Sequence, residues 1–177
     1  IRRLALVFPG QGSQSVGMLA ELAQTYPAVK DTFGEASAAL GYDLWQLVQQ
    51  GPEAELNRTD RTQPAMLAAG VAVWRVWNSN GGAVPDILAG HSLGEYTALV
   101  CAEALSFADA VRLVAERGRF MQEAVPQGQG AMAAILGLED AQVIAACRQA
   151  EQGEIVTAVN FNAPGQVVIA GAAAAVE

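Results

Sequence analysis

A strand that leads directly into a helix, with a Gly-x-Ser-x-Gly motif at the junction, is the feature that most constrains this chain. Residues Asp86–Gly90 form an apolar run of strand length, and helical spacing extends from Leu93 to about Ala102. A serine on such a tight turn exposes its hydroxyl at the carboxyl end of the sheet, and the flanking glycines leave room where side chains would collide. The motif therefore predicts Ser92 as a nucleophile, with a serine that only caps the helix as the alternative.

The neighbouring elements predict an α/β fold. Continuous apolar residues at Leu4–Phe8, ended by Pro9-Gly10, indicate another short strand, and both strands are expected to be buried on both faces as in a parallel sheet. Apolar residues at three- and four-residue spacing predict helices at residues 27–40, 62–78 and 106–125. The last of these begins with Ser106 and has Asp109 as a capping acid.

The pattern changes after Pro126, where Gln127-Gly128-Gln129-Gly130 is typical of a hinge. Strand and helix patterns then follow in the order β-α-β-β, with the start of another helix at 172–177. This order is most of a split β-α-β unit of the ferredoxin-like kind, without its last strand. We therefore expect two domains, at residues 1–126 and 127–177, the second incomplete. The predicted elements are strands at 131–136, 155–161 and 166–170 and a helix at 140–150.

Charge and composition exclude several classes of function. The chain has 10 Lys and Arg residues against 18 Asp and Glu, a net charge of -8, and no basic cluster beyond Arg2-Arg3. Binding to nucleic acid or to an anionic membrane needs a concentrated positive patch, so neither is expected. Cys101 and Cys147 lie in apolar helical patterns, without the spacing of a disulfide framework or a zinc site. These cysteines fit a reducing, cytoplasmic compartment.

A glycine-rich loop, Pro9-Gly10-Gln11-Gly12-Ser13-Gln14, follows the first strand. A dinucleotide-binding loop would need a third glycine at position 15, where this sequence has Ser15. The alternative is that the loop presents backbone N–H groups, such as that of Gln11, across from Ser92. Leu93, at the start of the following helix, offers another free N–H. Together these groups would form an oxyanion hole at the sheet edge where open α/β folds bind ligands.

Arg117 lies on the apolar side of the predicted helix that begins at Ser106. At about 100° per residue, the charged residues of this helix share one face and Arg117 falls in the middle of the opposite arc. That arc contains Ala110, Leu113, Val114, Phe120 and Met121. A guanidinium cannot lose its charge, so an inward arginine needs an anion or several acceptors. The side chain is interpreted as a buried ion pair, as an arginine that reaches past the apolar stripe, or as a bidentate clamp for a substrate carboxylate.

Further polar positions are interpreted as structural. His91 is the only histidine of the chain, but adjacent residues that enter a turn point to opposite sides, so it is not expected to serve Ser92 as a base. Asn160, Asn162 and Gln166 lie around Pro164-Gly165 and are interpreted first as turn residues. Their clustering after a strand makes them weak candidates for the site.

Motifs along the chain from Ala5 onward closely resemble those of malonyl-CoA:acyl carrier protein transacylases of bacterial fatty-acid synthesis. They occur in the family's order and are together highly specific. The motifs are Phe-Pro-Gly-Gln-Gly-Ser-Gln at 8–14, Gly-His-Ser-Leu-Gly-Glu-Tyr at 90–96, Arg-Gly-Arg-Phe-Met-Gln at 117–122 and Asn-Phe-Asn-Ala-Pro-Gly-Gln at 160–166. The resemblance implies an α/β-hydrolase-like large domain with a parallel sheet and an inserted ferredoxin-like small domain.

The resemblance also implies a ping-pong transfer. Ser92 would attack the thioester of malonyl-CoA to give a malonyl-serine ester, and the phosphopantetheine thiol of acyl carrier protein would then take the malonyl group. By the family's motifs, the backbone N–H groups of Gln11 and Leu93 form the oxyanion hole, and Arg117 binds the malonyl carboxylate. The partners implied are therefore malonyl-CoA and acyl carrier protein.

Further expectations follow from the same resemblance. Gln63 and Asn160 match family positions close to the site, and the family uses no metal or redox cofactor. Its general base is a histidine in the part of the large domain that returns after the small one, and no residue here matches it. The chain is therefore expected to be the N-terminal portion of a longer enzyme. Alone it should lack normal turnover, because removing the base from such a pair costs several orders of magnitude in rate.

Two other functions stay open. A lipid-acyl hydrolase with a Ser-Asp dyad shares the Gly-x-Ser-x-Gly placement and needs no histidine, but it requires an aspartate at a glycine-rich turn. None of the aspartates of this chain is followed by glycine. The second is a non-catalytic module that binds carrier protein or forms oligomers, for which a local basic patch would include Arg58 and Arg61.

Overall fold

The computed structural model describes residues 3–126 and 128–177. Arg2 of the basic pair and Gln127 of the expected hinge therefore lie outside the described residues. The chain divides into two compact units, Ile1–Met121 and Gln122–Glu177. This division falls a few residues before the domain boundary that was expected after Pro126.

A two-stranded parallel sheet organises the first unit. Strand β1 (Ala5–Phe8) pairs with β2 (Ile87–Gly90), and the register places Phe8 opposite Gly90. Parallel pairing brings the loops that follow both strands to the same edge of the sheet, as the sequence predicted. The helices are α1 (Ala20–Thr25), α2 (Pro27–Leu40), α3 (Leu44–Gln50), α4 (Glu53–Leu56), α5 (Thr59–Ser79), α6 (Leu93–Cys101) and α7 (Phe107–Ala124).

Helix α5 forms the centre of the apolar core of the first unit. Its residues Ala65, Leu67 and Ala72 have no exposed surface, and both α2 and α6 pack against it. The predicted helices at 27–40 and 62–78 are thus confirmed as α2 and α5. The predicted start of α7 is confirmed as well, since the Ser106 hydroxyl donates to Asp109 Oδ2 at 2.6 Å and accepts the Asp109 N–H at 3.2 Å.

The prediction that both strands of the parallel sheet are buried on both faces is wrong for the described residues. Val7 and Ile87 are 74% and 55% exposed, whereas Phe8 is buried in the core that includes α5. One face of the sheet packs on this core, and no described element covers the other. The continuous apolar runs therefore predicted the length of the strands correctly, but they did not predict how many faces of the sheet are covered in the described residues.

The predicted apolar arc of α7 is also partly wrong. Leu113, Phe120 and Met121 are about half exposed, whereas the buried line of the helix includes Gly118. The physical reason is a close approach to α5: a Cβ on Gly118 would lie 2.5 Å from the carbonyl oxygen of Thr59. A glycine adds nothing to a hydropathy pattern, so the apolar spacing could not show that Gly118 lies on the buried face of α7.

Three short helices, α1, α3 and α4, were not predicted because they offer little periodicity. For α3 the sequence does carry a capping signal, since Asp43 Oδ1 accepts the N–H of Gln46 at 2.8 Å. The helix also ends at Gly51, whose φ of 70° suits glycine.

The second unit contains a three-stranded antiparallel sheet and one well-formed helix. The strands are β3 (Gly130–Leu136), β4 (Val156–Ala163) and β5 (Gln166–Ala172), in the spatial order β3-β5-β4. Helix α8 (Asp140–Ala150) contributes Val143 and Cys147 to a small core with the sheet, and α9 (Ala173–Val176) follows β5. The predicted β-α-β-β order is confirmed. In the described residues, no helix of either unit has both the length and the apolar character required to cross a bilayer.

Candidate active site

The turn between β2 and α6 holds Ser92 in a backbone conformation that few residues adopt. Its φ and ψ are 52° and -112°, a strained region for any residue with a side chain. Both glycines of the motif are required by close approach: a Cβ on Gly90 would lie 2.1 Å from the carbonyl carbon of Gly94, and a Cβ on Gly94 would lie 2.2 Å from the Phe8 carbonyl oxygen. The predicted strand-turn-helix is confirmed, and Ser92 is exposed at its apex.

Arg117 reaches from α7 to the hydroxyl of this serine. Its Nη2 donates to Ser92 Oγ at 2.8 Å, and its Nη1 donates to Gln63 Oε1 at 2.8 Å. Gln63 lies on α5 and is fully buried, so one nitrogen of the guanidinium is hydrogen-bonded to an amide that cannot easily move. The structure thus joins three residues that the sequence analysis had named separately. Tyr96 of α6, which had not been singled out, places its ring 5.5 Å from the guanidinium carbon.

Among the residues that the structure describes, the positive charge of Arg117 has no anionic partner. Its contacts are a hydroxyl, an amide oxygen and an aromatic ring, and none of the ion pairs between described residues involves it. The interpretation of Arg117 as a buried ion pair is therefore wrong. Two of the five N–H donors of a guanidinium are used, and the others can take a ligand. A half-buried arginine with neutral neighbours is suited to bind a carboxylate.

Two backbone N–H groups, in the turn at Ser92 and in the loop after β1, are without an acceptor in the described part of the chain. One belongs to Leu93, the first residue of α6, and the other to Gln11 in the loop after β1. The loop and the turn are in close contact, since a Cβ on Gly10 would lie 3.1 Å from the carbonyl oxygen of His91. Free N–H groups at this edge can stabilise negative charge on a substrate oxygen.

Comparison with known proteins identifies the family of this chain. A family model described as "Acyl transferase domain" matches residues 5–177. The chain belongs to the acyl transferase domain family.

Relatives of this acyl transferase domain are similar along nearly its whole length. It is 66% identical over 175 residues to the malonyl CoA-acyl carrier protein transacylase of Salmonella typhimurium, covering 99% of this chain and 57% of the relative. It is 49% identical over 177 residues to the protein of the same name from Bacillus subtilis, covering 99% and 55%. The resemblance to these transacylases is confirmed, and the chain spans little more than half the length of the curated relatives it matches.

Solved structures support the same relationship. A complex of a type II PKS acyl-carrier protein with its malonyl-transacylase matches with a TM-score of 0.96 and 62% identity, over 99% of this chain and 57% of that chain. An acyl carrier protein S-malonyltransferase from Vibrio cholerae matches with a TM-score of 0.94 and 63% identity, over 98% and 57%.

In the described part of this acyl transferase domain, no side chain that could act as a base contacts Ser92. Its only hydrogen-bond partner among the described side chains is Arg117, and no described aspartate, glutamate or histidine bonds to it. His91 is exposed, and its backbone oxygen accepts the N–H of Gly94 at 2.9 Å. A Ser-Asp dyad is therefore not formed by the described residues. Nor do their His, Cys, Asp and Glu side chains gather into a group that could hold a metal ion.

Asn160 lies in the second unit of the domain, where β4 pairs it with Val168 of β5 beside a register shift. Its interpretation as a turn residue is wrong, because the turn itself is formed by Pro164 and Gly165, with a φ of 72° at the glycine. The same interpretation is wrong for Asn162 and Gln166, since β4 continues through Asn162 to Ala163 and Gln166 is the first residue of β5. A role of Asn160 near the reacting groups stays a prediction.

The two arginines considered for a basic patch are neutralised by their neighbours. Arg58 Nη2 lies 3.0 Å from Asp60 Oδ2, and Arg61 Nε lies 3.3 Å from Glu55 Oε1. Arg61 also stacks on Tyr42, with its guanidinium carbon 4.0 Å from the ring centroid, and burial raises the pKa of that tyrosine. Little uncompensated positive charge remains at this surface.

Proposed function

We propose that the protein transfers a malonyl group from malonyl-CoA to the phosphopantetheine thiol of acyl carrier protein through a malonyl ester of Ser92. The observation that carries this proposal is the uncompensated guanidinium of Arg117 within hydrogen-bond distance of the Ser92 hydroxyl. The distal carboxylate of a malonyl ester is separated from the ester carbonyl by a single methylene. A cation at this distance therefore fits a short diacid, and an acetyl group offers it nothing to bind.

In the first half-reaction, Ser92 Oγ attacks the thioester carbonyl, its proton passes to a base, and coenzyme A leaves as the thiol after accepting a proton. The N–H groups of Gln11 and Leu93 stabilise the oxyanion, while Arg117 exchanges its hydrogen bond with Ser92 for the malonyl carboxylate. In the second half-reaction the carrier thiol attacks the ester carbonyl and Ser92 regains its proton. The strained turn keeps Oγ at the apex throughout.

The base is not among the side chains that contact Ser92, and we propose that a histidine outside these residues supplies it. We further propose that the first unit belongs to an α/β-hydrolase-like large domain at 1–126, and that the strands and helices from β3 onward belong to a ferredoxin-like small domain at 127–177. The parallel pair with its Gly-x-Ser-x-Gly turn supports the first assignment. The antiparallel order β3-β5-β4, with α8 after the first strand, supports the second. A cytoplasmic location, expected from the two free cysteines, stays a prediction.

The test is covalent loading of the full-length protein with labelled malonyl-CoA and acetyl-CoA, followed by intact mass spectrometry. Malonyl loading should give an adduct that is absent in Ser92→Ala and is discharged by holo acyl carrier protein. Arg117→Ala should lose malonyl loading and keep acetyl loading. Arg112→Ala is the matched control on the same helix, since Arg112 pairs with Asp109 on the exposed face. Equal loss of both acyl groups in Arg117→Ala would contradict the carboxylate role.

A further inference from the structure

The loop that carries Gln11 is held by an amide bridge between Gln14 and Asn57. Gln14 Oε1 accepts the N–H of Gly12 at 2.8 Å, and Gln14 Nε2 donates to Asn57 Oδ1 at 2.8 Å. Both polar atoms of the Gln14 amide are therefore hydrogen-bonded, the oxygen within the loop and the nitrogen to the residue that follows α4. A weaker contact runs parallel to it, from Gln11 Nε2 to Thr59 Oγ1 at 3.3 Å.

The two ends of this bridge differ in rigidity. Gly12 has a φ of 105°, and no atom lies within 4 Å of the place its Cβ would take, so the loop has no side-chain packing there. A glycine in such a place has much conformational freedom to lose. Asn57, by contrast, follows the fully buried Leu56, whose carbonyl oxygen accepts the buried hydroxyl of Thr62 at 2.5 Å. The bridge connects a loose loop to a rigid support.

We infer that Gln14 and Asn57 are positioning residues for the oxyanion hole, acting through the bridge that orients the peptide of Gln11. This inference rests on the proposed function. An oxyanion donor is effective only if it is already in place when charge develops on the substrate oxygen. The Gly12 N–H that Gln14 binds belongs to the peptide that directly follows Gln11. Fixing this peptide limits the backbone rotation of Gln11, and with it the direction in which the Gln11 N–H points.

The chemistry of the bridge provides a test by charge pairing. Gln14→Glu keeps an acceptor for Gly12, and Asn57 can turn its amide to donate to the new carboxylate. Asn57→Asp keeps an acceptor for Gln14 Nε2. Each single variant should therefore load acyl groups within about threefold of wild type. The double variant Gln14→Glu/Asn57→Asp has two carboxylates facing each other and no donor between them, so the bridge must open.

The assay is the rate of Ser92 acylation in the full-length protein, with malonyl-CoA and acetyl-CoA measured in parallel. The double variant should lose roughly tenfold or more with both substrates, short of the 10²–10³-fold that follows complete removal of an oxyanion donor. The loss should appear in kcat with KM little changed, because the oxyanion exists only in the transition state and the intermediate. Asn57→Leu, which removes the acceptor without adding charge, should lose rate in the same manner.

Three results would overturn the inference. Acylation of the double variant at the wild-type rate would show that the bridge does not matter, and a loss confined to malonyl-CoA would show that it acts through Arg117. A loss that merely follows a lowered midpoint of thermal unfolding, with full rate at low temperature, would show a role in stability alone. Absence of a Ser92-dependent adduct in wild type would instead refute the proposed function itself.

Discussion

Replacing Gln63 by glutamate should convert the candidate carboxylate clamp into an internal ion pair. Gln63 is fully buried, and its Oε1 lies 2.8 Å from Arg117 Nη1. The substitution changes almost no volume but places a negative charge where the substrate's own carboxylate would be needed. Malonyl loading should fall, and acetyl loading should change little, because an acetyl group makes no use of the guanidinium charge.

The magnitude follows from the geometry. Two unit charges about 4 Å apart interact by about 4 kcal/mol at an effective dielectric constant of about 20. Desolvation of a buried carboxylate opposes this gain. If desolvation offsets half of this attraction, about 2 kcal/mol of the ion pair remains to compete with the substrate carboxylate for Arg117, which corresponds to roughly a thirtyfold loss of malonyl loading.

The measurement is kcat/KM for acylation of Gln63→Glu with each substrate in the full-length protein. Gln63→Met is the matched control, since it has similar length, loses the hydrogen bond to Arg117 and leaves the guanidinium charge free. The kcat/KM of the glutamate variant should be well below that of the methionine variant with malonyl-CoA, and the two variants should be similar with acetyl-CoA. Equal activities of the two variants with malonyl-CoA would refute the idea that a neutral partner keeps Arg117 available.

Further predictions concern the same helix and the core. In the assay above, Arg117→Lys should load malonyl groups as poorly as Arg117→Ala does, because an ammonium lacks the planar guanidinium that bonds two acceptors at once. Gly118→Ala should lower the free energy of unfolding in urea by about 1–3 kcal/mol, since its Cβ would meet the backbone of α5 at 2.5 Å. The control Gly34→Ala, on α2 with nothing within 4 Å, should raise it by about 0.5–1 kcal/mol. Burial raises the pKa of Cys101 to about 12 from 9.0. Alkylation of Cys101 at pH 8 should therefore require unfolding of the protein. The burial of the neutral Cys101 thiol should contribute to stability below about pH 9, and this contribution should be lost as the pH rises towards 12, because the thiol ionises first in the unfolded chain. Rapid native alkylation of Cys101 would contradict its burial.

Long elements with strong local signals were predicted well. The helix at 140–150 has the same bounds in the structure, and α2 begins at Pro27 and ends before Gly41, as proline and glycine at helix ends indicate. The short helices α1, α3 and α4 were missed, because a few residues give no reliable period. Burial was less predictable, since Val7 and Phe120 are apolar in sequence yet exposed in the described residues.

The candidate site was predicted in its parts and not in its connections. Ser92 and its turn could be located from the two glycines, because each glycine answers a local steric requirement of the turn. The partner of Arg117 could not be located from the sequence, since helical periodicity left both an ion pair and a carboxylate clamp open. The bridge from Gln14 to Asn57 carries no local signal at all, because its two residues are 43 positions apart.

The sequence by itself therefore determined the strand-turn-helix, the place of Ser92, the proposed nucleophile, on it and the family to which the motifs belong. Each of these depends on residues close together in the chain, where sterics and hydrogen bonding act locally. Only the tertiary structure decided that Gln63 and Ser92, which lie 54 and 25 residues from Arg117, are its neutral partners. That contact depends on how closely α7 approaches α5 at Gly118, and a packing distance between two helices is written in neither helix alone.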